Sequence, residues 1–402
     1  MEKIQMSEFR KWLGRAYVFT GIQLLTVILL LGMIELAVRW WGNPIEPLAI
    51  NAQTLITDKS QEPTFREHPF AAFTWIPNAR FMKQHVNSQG FVSTREIPFE
   101  KKPGEIRIIT LGESSTVGNG NVDEETYPRR LESMLQQHFP NRTISVINAA
   151  AGGYSTVESL GYLQSRLIHY RPDIVLIMHG WNDMYYFGLT DQELSEWRKN
   201  FNVQALTDNS AAIKYDAILP ADVRYLSWSQ TYLHFRELMR RWSAGRAEMQ
   251  TTIERRFSNA KQNANGSLEI KVKPVNENAL ALYTLNLRQI NNLCLQRNIQ
   301  CYNILQPSLF TAEADRKDQK ILQAMLKGAL YHSFDFDTHV ELFNRLHQID
   351  REVFDEAHVI DATDMSGKAG LFFDHIHQNP AGTEALARHV YDRLLPVIEH
   401  QY

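Results

Sequence analysis

A chain of 402 residues, 44% apolar and 22% charged, is long and apolar enough to bury a substantial core, which excludes a disordered protein. Its formal net charge of −3, with no basic stripe interleaved with aromatics, gives no electrostatic reason to expect nucleic acid as a partner. The two cysteines, Cys294 and Cys301, are too few for a disulfide framework and lack metal-site spacing. They are expected as buried thiols that behave as small apolar residues, with a single bridge as the alternative.

The first element in the chain is nearly all apolar from about Tyr17 to Val38, with Thr20, Gln23, Thr26 and Glu35 as its strongly polar positions. At 1.5 Å per residue such a helix reaches about 33 Å, enough to cross a hydrocarbon core of about 30 Å. Lys3, Arg10, Lys11 and Arg15 precede it and Arg39 follows. The positive-inside rule then keeps residues 1–16 in the cytoplasm and sends the remainder across the membrane, to a periplasmic or extracellular location. A cleaved signal peptide also begins basic and continues apolar, but this run exceeds an ordinary signal core and no small-x-small site follows it. A signal anchor over 17–38 is therefore expected, with Trp40 and Trp41 at the far interface and the Glu35 carboxylate reaching for that interface.

Residues 43–103 form a connecting region in which Pro44, Pro47, Pro63, Pro69 and Pro77 break any long helix. Short alternating pieces at Ala72 to Trp75 and Phe81 to Val86 suggest small strands. The region is either a β layer packed on the main domain or a stalk. From Glu105 the chain alternates: Ile106 to Leu111 reads as a strand, Tyr127 to Phe139 as a helix with Pro128 in its first turn, and Thr143 to Asn148 as a strand. Thr156 to Tyr170 follows as a helix and Asp173 to Met178 as an almost wholly apolar strand. Continuously apolar strands separated by helices predict a parallel sheet covered on both faces. The ends of those strands carry the chemistry. Taken alone, Ser114 is an ordinary βα-turn serine that caps the helix behind it; three later blocks change that reading.

Gly112-Glu113-Ser114-Ser115-Thr116-Val117-Gly118, Asn148-Ala149-Ala150-Ala151-Gly152-Gly153-Tyr154, Gly180-Trp181-Asn182-Asp183 and Asp374-His375-Ile376-His377 stand in this order along the chain. Together they resemble the four blocks of the SGNH hydrolases, also called the GDSL family, over about Arg107 to Ile398. The resemblance implies a flavodoxin-like three-layer α/β/α fold. It makes Ser114 the nucleophile, His377 its base and Asp374 the carboxylate that orients the base. The oxyanion donors it implies are the Ser114 and Gly153 backbone amides and the Asn182 side chain. It calls for no cofactor and no metal. The chain departs from the family pattern at Glu113, where the family name has Asp, which puts the local hydrogen bonding in question. Gly-x-Ser-x-Gly is absent because Thr116 takes the second glycine position, which argues against an α/β-hydrolase elbow.

These residue types suit acyl transfer. A serine hydroxyl needs a base to take its proton, an imidazole titrating near neutrality supplies one, and a carboxylate fixes its tautomer. Attack on an ester carbonyl puts negative charge on oxygen, which the amide donors receive. Asp374, His375 and His377 as metal ligands is the competing reading, and no further ligand cluster lies close in sequence. Asn379-Pro380 reads as an N-cap and first position of a closing helix, Ala381 to Ile398.

Between the third and fourth blocks, helical insertions are expected over 190–276 and 311–356 of a domain spanning 104–402. The first contains Trp197-Arg198-Lys199, a basic run at Phe235 to Trp242 and a flexible patch at Asn259 to Gly266. The basic run reads as a solvated face, with an anionic membrane or polysaccharide as the alternative. Ala279 to Gln296 reads as a helix, Gln300 to Gln306 and Val359 to Asp361 as strands, and Phe334 to Phe354 as a helix. The family implies an esterase acting on O-acyl, often acetyl, groups of carbohydrate or lipid. Two alternatives stand beside it: an O-acyltransferase acting on envelope polysaccharide, and a non-catalytic scaffold for envelope-polymer assembly. In both, a membrane acyltransferase or other assembly protein is a partner to expect.

Overall fold

The computed structural model of the chain describes residues 2–41, 65–194, 226, 228–243, 272–326 and 334–401. Trp197-Arg198-Lys199, the patch at Asn259 to Gly266 and most of the insertion expected over 190–276 lie outside the described residues. Two compact units are present: Met1–Pro47 with Ile218–Gly245, and Leu48–Ala217 with Arg246–Tyr402. The first unit opens with helix α1 (Glu2–Trp41).

The second unit begins with two antiparallel hairpins, β1 (Phe65–His68) with β2 (Ala72–Trp75), and β3 (Arg80–Phe81) with β4 (Gln84–His85). Their aromatic side chains are too large to leave in water. Phe65 stacks on Trp75 with ring centroids 4.3 Å apart and meets Phe73 edge-on at 5.1 Å. Polar ends of the same region reach the loops of the main sheet. The Trp75 indole N–H donates to the Ala150 carbonyl (2.8 Å), the Tyr154 hydroxyl donates to the Phe73 carbonyl (2.6 Å), and the Gln84 amide donates to the carbonyls of Val117 and Gly118 (both 2.9 Å). The described part of the connecting region is therefore a layer packed on the loops, the first of the two alternatives open from sequence.

The core follows as β5 (Ile106–Gly112), the one-turn helix α2 (Ser114–Val117), α3 (Tyr127–His138), β6 (Ile144–Asn148), α4 (Thr156–Ser165), β7 (Ile174–Met178) and α5 (Met184–Phe187). Helix α6 (Gln230–Ser243) belongs to the first unit. The second resumes with α7 (Glu277–Gln296), β8 (Gln300–Leu305), α8 (Arg316–Leu326), α9 (Phe336–Val353), β9 (Val359–Asp361) and α10 (Pro380–Gln401). Five strands pair in parallel in the order β6-β5-β7-β8-β9, with Ile109 opposite both Ile147 and Val175. Residues buried on both faces explain why these strands read as unbroken apolar runs.

On one face Leu131 and Leu135 of α3 and Leu386, Val390 and Leu394 of α10 pack on Ile108, Val146, Leu176 and Ile304. Helices α4, α7 and α9 pack on one another and on β5 and β8, forming the other layer. Each fully buried aliphatic side chain contributes about 1.5–3 kcal/mol relative to exposure, so the two layers together hold the sheet rigid under its loops. At the start of β5 the fully buried Arg107 guanidinium pairs with Glu105 and donates to the carbonyls of Pro98, Phe99 and Tyr170 at 2.9–3.0 Å. That use of its donors is what makes a buried charge tolerable.

Three expectations change. The helix expected to run from Thr156 to Tyr170 is interrupted rather than continuous: it is α-helical to Ser165, breaks at Arg166 (φ −136°, ψ −53°), whose guanidinium lies over the Phe91 ring, 4.9 Å from its centroid, and bonds the Gln89 carbonyl, and resumes as a 3-10 turn over Leu167–Tyr170. Cys294 and Cys301 are buried as expected but are joined as a disulfide, with Cα atoms 6.1 Å apart. The turn after α7, closed by Ile299 N–H on the Cys294 carbonyl (2.9 Å), doubles the chain back so that the two sulfurs meet, a reversal that spacing alone does not reveal. Glu35 is the third.

In the first unit, the stretch Phe19–Trp41 of α1 is long and apolar enough to cross a membrane, and none of it is buried. Glu35 sits within it with its carboxylate partnered: it accepts from the Ser229 hydroxyl (2.9 Å), the backbone amides of Gln230 (2.8 Å) and Thr231 (2.9 Å), and Arg39 (2.7 Å). Helix α6 thus starts on Glu35, and Arg39 also donates to the Trp228 carbonyl (2.6 Å). An intrahelical acid with four donors needs no exit to water.

Candidate active site

In the 2-1-3-4-5 strand order, read from β5 as the first strand, the topology switches between β5 and β7, where open α/β sheets bind ligands at the carboxyl edge. Ser114 lies just past β5, Asn182 just past β7 and Gly153 in the turn after β6. The chain can turn so tightly after β5 because residue 112 is glycine: a Cβ there would stand 2.1 Å from the Thr116 hydroxyl and 2.9 Å from the Met178 carbonyl. Glu113 takes the N-cap position of α2 and Ser114 the first helical one. The serine side chain is thereby released from the capping role that local sequence suggests.

Ser114 Oγ lies 2.8 Å from His377 Nε2, and His377 Nδ1 lies 2.7 Å from Asp374 Oδ2. The other carboxylate oxygen, Oδ1, accepts the backbone N–H groups of Ile376 (2.9 Å) and His377 (2.8 Å). With Nδ1 donating to the carboxylate, the neutral ring presents Nε2 as an acceptor toward the serine hydroxyl. Burial by itself would raise the Asp374 carboxyl, but the imidazoles of His377 and His375 and the hydrogen bonds from His377 hold it well below the usual carboxylate range. The loop that carries the histidine is pinned at both ends: Ser115 Oγ donates to the Ile376 carbonyl (3.1 Å), Asn121 donates to the Gln378 carbonyl (2.9 Å), and Asn379 Oδ1 accepts from Gly382 (3.0 Å) at the start of α10. Asn379 and Pro380 therefore open the closing helix as their order suggested.

Gly153 has φ +86°, a left-handed conformation that a side chain resists. The next carbonyl, that of Tyr154, accepts the Asn182 side-chain amide at 2.8 Å. Asn182 is 6% exposed. Asp183 accepts from the Thr156 amide (3.2 Å) and hydroxyl (2.6 Å), so the third block is tied to the second twice. The geometry brings Ser114, His377 and Asp374 into one hydrogen-bonded row and couples the segments bearing Gly153 and Asn182 beside it. Among the described residues, no group of three or more His, Cys, Asp or Glu side chains is placed to hold a metal ion.

Glu113 is the residue whose importance the sequence understated. Fully buried, its carboxyl accepts the backbone amides of Trp181 (3.2 Å) and Asn182 (2.8 Å) and the Gln306 side chain (2.5 Å), so it sets the loop that carries Asn182. Its position inside the first block was the signal that could have found it. Trp181 in turn stacks on Phe310 and His339 and contacts His375, with centroids 5.8, 5.4 and 4.3 Å away. Burial, then the nearby Asp183 carboxyl, pushes the Glu113 carboxyl up to about 8 against those three donors. A raised acid holds in the folded state a proton that the unfolded chain releases, so this group's contribution to stability declines as pH rises from the ordinary glutamate range through about 8. Thermal unfolding of the full chain in detergent is expected to show wild type losing stability relative to Glu113→Gln between pH 5 and about 8.5; parallel curves would contradict the assignment.

The sequence profile of the GDSL-like lipase/acylhydrolase family matches residues 110–265, a stretch that holds the first three blocks and to which the fold returns the fourth. No curated protein matches the chain. Among solved structures, it is similar to a catalytic mutant of an acetylxylan esterase from Geobacillus stearothermophilus, at 12% identity over 72% of this chain and 94% of that one, with a TM-score of 0.39. An alpha/beta hydrolase from the metagenome of Lake Arreo, Spain, is 13% identical over 72% and 94% with a TM-score of 0.36. An acetyl xylan esterase is 11% identical over 71% and 98%, again with a TM-score of 0.36. Residues 110–265 match the GDSL-like lipase/acylhydrolase family, and the parallel sheet gathers the four blocks at one edge, where Ser114, His377 and Asp374 form the hydrogen-bonded row of a serine hydrolase.

Proposed function

We propose that the chain is a membrane-anchored esterase that removes O-acyl groups, acetyl foremost, from carbohydrate or lipid through an acyl-Ser114 intermediate. The observation that carries the mechanism is the continuous row Asp374, His377, Ser114, with contacts of 2.7 and 2.8 Å. His377 takes the hydroxyl proton as Ser114 Oγ bonds to the ester carbonyl carbon. The carbonyl oxygen gains the negative charge and is received by the backbone N–H groups of Ser114 and Gly153 and the Asn182 amide. Collapse breaks the bond to the alcohol oxygen, which leaves with the proton from His377. Water, losing a proton to His377, then releases the acid and restores Ser114. Asp374 stays ionised throughout and stabilises the imidazolium.

Asn182→Ala is expected to lower kcat for an activated acetyl ester about 10²–10³-fold with little change in KM, because the lost donor acts on charge that exists only in the transition state. Steady-state kinetics of the two proteins checks this. For the substrate, full-length protein in detergent is incubated with acetylated glycans and lipids carrying labelled acetyl groups. Labelled acetate supports the esterase. Label appearing on a sugar hydroxyl instead identifies an acyltransferase. A folded protein that neither releases nor transfers label and resists a fluorophosphonate probe would be a scaffold.

The anchor reading is drawn from three supports: the unburied apolar stretch Phe19–Trp41, the basic residues concentrated before it, and the Cys294–Cys301 bridge, which suits an oxidising compartment. In this reading the N-terminus is cytoplasmic and the hydrolase domain lies outside. A reporter that matures only outside the cytoplasm, fused after Tyr402, is expected to be active; activity of a cytoplasm-only reporter at the same position would reverse the topology.

A further inference from the structure

Helix α6 carries apolar surface that the hydrolase site does not use. Phe235 is 57% exposed, Leu238 63% and Met239 42%, and Trp228, just ahead of the helix, is 69% exposed. Spaced i, i+3 and i+4, the three helical residues share one face, while the buried Leu233 lies roughly opposite. The helix sequence adds Arg236, Arg240 and Arg241 against the single Glu237. Apolar side chains on one face of a helix whose sequence is rich in arginine is the pattern of a helix that lies in a membrane surface.

We propose that α6 is an in-plane membrane helix whose Phe235, Leu238 and Met239 face is buried in the headgroup and acyl boundary of the leaflet on the C-terminal side of α1. The inference depends on the anchor reading above and adds a second membrane contact to it. Its depth is set by Glu35. The start of α6 is held there through the Gln230 and Thr231 amides and the Ser229 hydroxyl. Glu35 lies six residues before Trp41, the end of the apolar stretch. At 1.5 Å per residue that is about 9 Å inside the end of the span, which matches the roughly 5–10 Å at which in-plane helices bury their apolar face. α6 packs on α1 itself, whose apolar side chains are also unburied, so lipid is the occupant that covers both surfaces at once. The arginines favour anionic headgroups. The same arrangement accounts for a glutamate inside an apolar span: its carboxylate holds the in-plane helix in position.

The test uses the full chain reconstituted in phosphatidylcholine vesicles containing phosphatidylglycerol. Leu238→Cys, Arg236→Cys and Leu29→Cys proteins are each labelled with an environment-sensitive fluorophore, and fluorophosphonate reaction serves as the folding control. The label at 238 is expected to be blue-shifted, quenched by a nitroxide placed near the headgroup and shielded from aqueous iodide. The label at 236 should remain open to iodide. The label at 29 should be quenched by a nitroxide deep in the acyl chains. If 29 is quenched as expected but 238 is open to iodide, the in-plane helix is overturned and the anchor stands. Shielding of 238 without lipid quenching means that a protein covers the face, which overturns it equally. An unquenched label at 29 removes the anchor and the in-plane helix together.

Discussion

Ser114→Ala is expected to lower kcat/KM for an activated acetyl ester by about 10⁴–10⁶-fold and to abolish labelling by a fluorophosphonate. The size follows from what the residue does: without its oxygen no acyl-enzyme bond forms, and only the oxyanion donors and substrate positioning remain to speed attack by water. Stability should change by about 1 kcal/mol or less, since the side chain makes one hydrogen bond, to His377 Nε2, and stands 8% exposed at the edge of the core. Activity assays, probe labelling and thermal unfolding on the same preparation separate the two effects. Retained labelling in Ser114→Ala would transfer the nucleophile role to another residue, with Ser115 the first to examine because it is the adjacent hydroxyl; its oxygen, however, is committed to the Ile376 carbonyl.

Asp374→Asn is the more discriminating substitution, because it preserves shape and removes charge. A loss of about 10⁴-fold in kcat is expected. In the wild type both carboxylate oxygens accept: Oδ1 from two backbone amides and Oδ2 from the His377 ring. An asparagine must direct its NH₂ group toward one of these donors. Pointed at Nδ1, it forces the tautomer in which Nε2 carries the proton and no longer accepts from Ser114. Pointed at the backbone, it opposes the amides of Ile376 and His377 and loosens the loop. Because the Asp374 carboxyl is held well below the usual range, its contribution to stability is present at all pH values above that range and fades only as pH falls through the depressed value. Asp374→Asn should therefore also unfold at lower temperature than wild type at neutral pH, with the gap closing in strong acid. A kcat within tenfold of wild type would remove Asp374 from the mechanism.

How much of this was legible depended on range. The strands from Ile106 to Met178 and the helices between them could be read from residues that neighbour one another in sequence, since β-branched runs and helical periodicity are local properties. The expected and observed boundaries of Val359 to Asp361 coincide, and α3 starts at Tyr127 as read. The break at Arg166, between the α-helix to Ser165 and the 3-10 turn to Tyr170, was not legible locally, because there the guanidinium meets an aromatic face contributed from Phe91. The cysteines illustrate the same limit, because seven residues of separation say nothing about a turn that doubles back. Proline content marked the connecting region as irregular, yet only the packing of Trp75 and Gln84 on the loops showed it as a layer over the sheet edge rather than a spacer.

For the site, composition and four short blocks determined which residue types were available and at which strand ends they would stand, because a parallel sheet delivers every strand's carboxyl end to one edge. The apolar stretch near the N-terminus likewise carried its own message in length and hydropathy. The tertiary structure alone decided which groups meet. Ser114 and His377 are 263 residues apart in sequence and 2.8 Å apart in space. Glu113, which in sequence was a departure from a family letter, became the carboxyl that holds the Asn182 loop only when β5 and β7 were set side by side. Glu35 changed from a misplaced charge in an apolar run to the attachment point of α6 for the same reason. Hydrogen bonds of that kind depend on distances of about 3 Å, and such distances between remote segments are properties of the packed chain.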